Sequence, residues 1–175
     1  IYGGSLEAGW LEASLESQYT WFYRDNENLT GLDKANGQRL RAIPELALPM
    51  RALWGFSRPS VSLDYTRYEL DDYTLGDAGF DRTVPVFEWD NGLYFDRRSS
   101  LFDLPYNQTL EPRLYYAWAD AESDQNYIPD FDTGIRSFRF DQLFRRDRFT
   151  GGDRVGDANQ LTVALTSRFN DLLTG

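Results

Sequence analysis

The chain has 175 residues, 41% of them hydrophobic and 16% aromatic, with a single Met and a net charge of −10 from 18 basic and 28 acidic residues. That acidity excludes nucleic acid as a partner, since a phosphate backbone demands a basic surface. The lack of Cys and His removes disulfides, thiolate and imidazole metal sites, and any Ser-His or Cys-His nucleophile. No apolar run approaches the ~18 residues of a helical span. The chain starts at Ile1 without an initiator Met or signal-like segment and reads as a piece of a larger protein.

From Trp10 to Arg24 the positions Leu11, Ala13, Leu15, Tyr19, Trp21 and Tyr23 alternate with Glu12, Ser14, Glu16, Gln18 and Thr20. Period two is the mark of a half-buried strand. After a polar loop, Asp25 to Gly37, the pattern resumes over 38–53, with Leu40, Ala42, Leu46 and Leu48 opposing Arg39, Arg41 and Glu45. Pro44 removes a ladder donor there, so a bulge or local distortion is expected. Gly55-Phe56-Ser57-Arg58 reads as a tight turn before a third strand, 59–70, in which Val61, Leu63 and Tyr65 oppose Ser62, Asp64 and Thr66.

A second polar loop, Asp71 to Asp81, leads to a strand over 82–97. Asn91-Gly92 could turn a hairpin, but parity is kept across the pair, favouring one long kinked strand. An intermediate connection from Arg97 to Asn107 precedes the strands 108–119 and 159–170, which bracket a very long loop from Asp120 to Ala158.

Long connections therefore fall on one end of the sheet, as in outer-membrane barrels. Strands of ~10–12 residues at ~3.3 Å rise, tilted by ~40°, cover ~25 Å, the height of the apolar band of such barrels. The expected fold is all-β: an antiparallel transmembrane β-barrel segment of about six strands. Six cannot close when the smallest barrel has about eight, so the segment is an open arc of a larger barrel. A soluble β-sandwich binding module and a passive porin-type barrel are the alternatives. By parity Leu40, Leu46, Leu63, Leu114, Trp118, Leu161, Val163 and Leu165 face lipid, while Arg39, Arg41, Asp64, Glu111, Arg113, Gln160 and Arg168 face the lumen, where they could touch lipid or a plug. Tyr23, Trp54, Tyr68 and Trp118, near strand ends, would form interfacial girdles.

The long loop carries Tyr127, Ile128, Phe131, Phe138, Phe140, Leu143, Phe144 and Phe149, more apolar surface than disordered segments have, so it should fold. Its motif runs through Arg148, Phe149, Gly151, Gly152, Asp153, Arg154 and Asn159. Arg145, Arg146, Arg148 and Arg154 could grip anionic groups, or pair with the interleaved Asp141, Asp147, Asp153 and Asp157 in a loop folded over the barrel mouth. Gly151, Gly152 and Gly156 would supply positive-φ turns. Glu12 with Glu16 and Asp71 with Asp72 are carboxylate pairs of the kind glycosidases use, but nothing around them supports hydrolysis. No catalytic residue, metal or cofactor is assigned.

The strings GQRLRAIPELALP, QTLEPRLYYAWA, QNYIPDFDTG and LFRRDRFTGGDRVGDANQLTVALTSRF resemble, in order and spacing, the barrel domain of the LptD family of lipopolysaccharide-assembly proteins, also called the organic solvent tolerance family. The likeness is strongest over Gly37–Pro49 and Gln108–Asp171 and implies that residues 1–175 are the central part of such a barrel domain, with 120–158 as an extracellular-side loop. It further implies a bacterial outer-membrane translocon that inserts lipopolysaccharide into the outer leaflet without covalent chemistry. Its partners would be lipopolysaccharide, membrane lipids, an LptE-like plug lipoprotein inside the barrel, and a periplasmic bridge reached through an N-terminal domain. That domain, the family's cysteines and its gate-forming terminal strands are absent from this sequence.

Overall fold

A computed structural model describes residues 2–8, 10–25, 27–74, 76–101, 104–121 and 125–171. The strands are β1 (Tyr2–Ala8), β2 (Leu11–Phe22), β3 (Asn36–Ala47), β4 (Met50–Ala52), β5 (Gly55–Asp71), β6 (Gly79–Leu93), β7 (Phe95–Leu101), β8 (Leu104–Ala119), β9 (Gly134–Ile135), β10 (Phe149–Thr150) and β11 (Ala158–Asp171). One antiparallel sheet runs in the order β1-β2-β3-β5-β6-β8-β11, with β4 on β5 and β7 on β8, and the β9–β10 ribbon stands apart. Neighbours in the sheet are neighbours in sequence, the connectivity of an up-and-down meander. The wall strands form a single layer, not two face-to-face sheets.

Two pairs of segments are single strands interrupted by proline. Asn36↔Asp71 and Met50↔Ser57 belong to one register, broken between β3 and β4 at Leu48-Pro49; within β3, Ile43 and Pro44 also drop out of the pairing with β5. The missing Pro44 N–H opens the ladder without inserting a residue, so the expected bulge or local distortion takes the form of a gap. Likewise Gly92↔Arg113 and Phe95↔Leu110 share one register on either side of Pro112. Asn91-Gly92 lies inside β6. Gly92 is needed there because a Cβ would meet the Phe56 ring at 2.3 Å.

The sheet corrects the strand count. β1 adds a seventh wall strand, paired with β2 from Tyr2↔Ser17 to Ala8↔Leu11. The turn assigned to Gly55–Arg58 falls at Leu53-Trp54, since Gly55 already pairs with Ala52 and with Leu93. The intermediate connection vanishes because β7 and β8 stay paired to Leu101↔Leu104. Long connections, 23–35, 72–78 and 120–157, thus all fall on one end, and the short ones, 9–10, 53–54 and 102–103, on the other. At the start of 72–78, Asp72 takes φ 57°, a left-handed conformation that Asp tolerates better than most residues.

The buried interior lies on one face, under the long loop. Val84, Val86, Ala119 and Ala121 pack on Val155 of the loop, and Tyr68 and Leu70 pack on Ile128, flanked by Phe80, Tyr127 and Phe131. The opposite face stays open: Leu161, Val163 and Leu165 are 62%, 71% and 67% exposed, with Leu40, Leu46, Val61, Leu63, Leu114 and Trp118 beside them.

Candidate functional site

Three arginines of the wall, two on β3 and one on β6, turn under the loop, because alternate residues of β3, β5, β6 and β8 share the covered face. Arg39 on β3 is fully buried. Its Nη1 donates to Asp153 Oδ1 at 2.6 Å and to Asp132 Oδ1 at 2.8 Å, and its Nη2 to Asp132 Oδ2 at 2.7 Å. The guanidinium also lies 5.0 Å over the Phe22 ring, and Phe22 stacks on Phe131 of the loop with centroids 4.2 Å apart. Arg82 on β6 donates to the carbonyls of Asp153 and Gly152 at 2.7 and 3.0 Å. Arg41 forks onto Asp64 of β5 at 3.0 and 2.5 Å and reaches the Gly151 carbonyl at 3.2 Å.

Asp153 is the loop's anchor. Beyond Arg39, its carboxylate accepts from the Tyr68 hydroxyl at 3.0 Å and from the backbone N–H groups of Phe131 and Asp132 at 2.8 and 3.0 Å. Burial pushes its carboxyl above the usual carboxylate range, against the pull of Arg39 and the two N–H groups. Asp132 sits nearer water. Burial would raise it too, but the hydrogen bonds from Arg39 and the Gly152 N–H outweigh that and hold it at about 2. Breaking a buried pair of this kind by deleting one partner costs ~3–5 kcal/mol, so the cluster fixes where the loop lies.

The glycines divide by cause. Gly151 has φ +76°, the turn that the sequence suggests. Gly152 and Gly156 do not have positive φ. Gly152 is required by close approach, since a Cβ would stand 2.8 Å from Arg39 Cζ. Gly156 is buried, but a Cβ added to it would meet Phe149 at 3.7 Å and Arg148 Nε at 3.9 Å, which are ordinary contact distances.

The remaining sequence-derived residues scatter into smaller contacts. Arg113 forks onto Asp90 at 2.9 and 2.7 Å and lies 4.0 Å over the Phe144 ring of the loop. Glu111 pairs with Arg168 across β8 and β11. Gln160 donates to the Arg145 carbonyl at 2.9 Å, and its neighbour on the same face, Thr162, to that of Leu143 at 2.7 Å. Arg154 donates to the Gln125 carbonyl at 2.8 Å. Arg148 lies over its neighbour Phe149 at 5.1 Å, with Phe149 paired in the β9–β10 ribbon. Asn159 accepts from Tyr116 at 3.1 Å on the open face, away from the cluster.

Three expectations change. Tyr68, assigned to an interfacial girdle, is fully buried and holds Asp153, because its even number puts it on the covered face. The loop's anchoring acid pairs with a wall arginine and not with the arginines beside it in sequence. Phe138 and Phe140 are exposed although the other loop aromatics pack. Sequence reasoning passed over Arg82 and Asp132. Parity with Asp64 across the Thr66↔Arg82 pair could have found Arg82, whereas nothing local in QNYIPDFDTG marks Asp132.

The arrangement presents fixed charge and backbone carbonyls, the makings of a structural clasp. The family model described as LPS transport system D (LptD) matches residues 2–174. The chain is 99% identical over 175 residues to the LPS-assembly protein LptD of Marinobacter nauticus, covering 100% of this chain and 22% of that protein. It is 50% identical to the protein of the same name from Hahella chejuensis, over 97% of this chain and 22% of the relative. For that of Alkalilimnicola ehrlichii the identity is 44%, over 98% and 22%. The chain spans about a fifth of the length of these curated relatives.

Proposed function

The chain belongs to the LptD family, and from that premise we propose that it is a section of the wall of an outer-membrane β-barrel that inserts lipopolysaccharide into the outer leaflet. The observation that carries this reading is the reversed polarity of the sheet. A sheet in water buries its apolar face, but here the buried face sets Arg39, Asp64, Thr66 and Arg82 among Tyr68, Leu70, Val84 and Val86, while the open one presents Leu40, Leu63, Leu161, Val163 and Leu165. Hydrocarbon is the solvent that such a face fits.

On this reading the open face meets membrane lipid, the covered face looks into the lumen, and the end bearing the long connections is extracellular. The clasped loop stands inside the barrel, where an LptE-like plug lipoprotein would lie against it. Lipopolysaccharide is the cargo, delivered by a periplasmic bridge, and no covalent chemistry is involved. The family membership and the filled covered face favour this over a passive pore, which needs an open lumen.

The test uses the full-length protein in cells depleted of their own copy. Deleting Phe138–Gly152 should leave a folded, heat-modifiable barrel that recovers less plug lipoprotein and displays less surface lipopolysaccharide, seen as entry of bulky antibiotics. Normal plug recovery with normal surface lipopolysaccharide would overturn the proposal.

A further inference from the structure

The loop's own arginines are arranged differently from those of the wall. Arg39, Arg41 and Arg113 each fork onto a carboxylate with contacts of 3.0 Å or less. Between the loop and β11 lies a cavity of about 410 Å³ whose lining includes Arg136, Arg145, Arg146 and Arg148 together with Ile135 and Phe138. Here the ion pairs are long or missing. Arg145 is 3.7 Å from Asp141 and Arg146 3.9 Å from Asp64, while Arg136 and Arg148 have no carboxylate within 4.0 Å among the described residues. Arg146 Nη1 is buried with no hydrogen-bond partner among them.

Two acids, Asp147 and Asp157, also line the cavity, and Asp147 is engaged by the Phe149 N–H at 2.9 Å. Four cations and two anions line the cavity, with Asp141 and Asp64 standing behind Arg145 and Arg146 at 3.7 and 3.9 Å, in a chain of net charge −10. The walls are held in place. The β9–β10 ribbon sets Arg136 beside Arg148 through an N–H to carbonyl bond of 3.0 Å, and Gln160 and Thr162 tie the opposite side to the barrel strand. Beside this cationic floor Ile135 and Phe138 are each 81% exposed, in contrast to the packed Ile128 and Phe131 of the same loop.

We propose that this cavity binds a phosphorylated amphiphile, its phosphate held by Arg136, Arg145, Arg146 and Arg148 and its apolar part lying on Ile135 and Phe138. Guanidinium forks match phosphate oxygens bidentately, and several converging on one group favour a phosphate monoester, with three terminal oxygens, over a carboxylate with two. The exposed apolar side chains at the rim give a bare anion nothing to contact. The proposal concerns the loop's binding chemistry and does not depend on the transport reading.

The test is calorimetric titration of the full-length protein, purified with its plug partner in an uncharged maltoside detergent, with dodecyl phosphate and separately with inorganic phosphate. Dodecyl phosphate should bind at least about tenfold more tightly than inorganic phosphate, and R136Q/R148Q should weaken it by about tenfold or more. R146Q should do the same. R97Q, a wall arginine outside the cavity that bonds to Gln108, should leave binding unchanged. Both residues of the double variant are exposed, so it remains informative if R146Q, which also approaches Asp64, fails to fold. Unaltered affinity in R136Q/R148Q, an equal loss in R97Q, or inorganic phosphate binding as tightly as dodecyl phosphate would each overturn the proposal.

Discussion

Replacing Asp153 by Asn keeps the side chain's shape and removes its charge. The carboxylate accepts four contacts, from Arg39, the Tyr68 hydroxyl and the N–H groups of Phe131 and Asp132, and all four partners are donors. An amide has one oxygen, so whichever pair it serves, its NH₂ is turned toward the donors of the other. Burial already disfavours the carboxylate's charge, and Arg39 keeps Asp132, so the cost is that of buried donors left unmatched, ~1–3 kcal/mol, which at ~1.36 kcal/mol per decade raises the equilibrium for loop opening by about 5- to 150-fold. Trypsin reads this. Arg154 lies in the buried 152–156 stretch, so cutting after it requires opening, whereas Arg145 and Arg148 are exposed and report on the protease itself. In the full-length protein D153N should be cut after Arg154 faster by at least about fivefold when closing outpaces cleavage, with D157N, a change at an exposed position, behaving as the parent. Equal rates for D153N and D157N would refute the clasp.

Gly151→Ala places a side chain at φ +76°, which costs ~1–2 kcal/mol, and sets its methyl 2.4 Å from the Asp132 carbonyl, while Gly152→Ala drives a methyl to 2.8 Å from the Arg39 guanidinium carbon; both should open the loop in the same protease assay, with Gly151→Ala the more severe. The Asp132 carboxyl, held at about 2 against an ordinary 3.8, contributes anchoring that is fully present above pH 3.8 and lost as pH falls toward 2. Burial raises Asp153, so its protonation in acid relieves a cost and does not release the loop early. Exchange at the Gly152 amide, corrected for intrinsic rate, should therefore stay slow down to about pH 4 and accelerate below it. On the open face Leu114→Arg should cost ~2–4 kcal/mol of barrel stability if placed near the bilayer midplane, lowering the heat-modifiable fraction more than Arg113→Leu, whose site faces the loop.

The sheet was legible in the sequence because period-two alternation survives wherever each face keeps one kind of surroundings. Strands 108–119 and 159–170 lie within a few residues of the observed ones, and parity alone put Arg39, Arg41, Asp64 and Arg113 on the covered face. Turns were harder. Leu53-Trp54 carries none of the usual turn residues, while Gly55 marks a close approach to the Gly92 carbonyl, 2.4 Å from any added Cβ. The clasp itself was only half visible. Asp153 and the glycines stand out in RFTGGDR, but their partners are up to 114 residues away in sequence, and nothing short-range says that Arg39 and Asp132 converge on one loop. Tyr68 misled for a related reason: an aromatic near a strand end looks the same from sequence whether it meets headgroups or a buried carboxylate.

The central claim is that the two faces of this sheet meet different solvents, and photocrosslinking along β11 tests it directly. A benzoylphenylalanine placed in turn at positions 161 to 166 of the full-length protein, in its own membrane, should attach to lipid from 161, 163 and 165. From 162, 164 and 166 it should attach to protein, with position 162 marking the loop near Leu143. A period-two pattern of that phase is the prediction. Lipid adducts from both parities, or protein adducts from 161, 163 and 165, would contradict it.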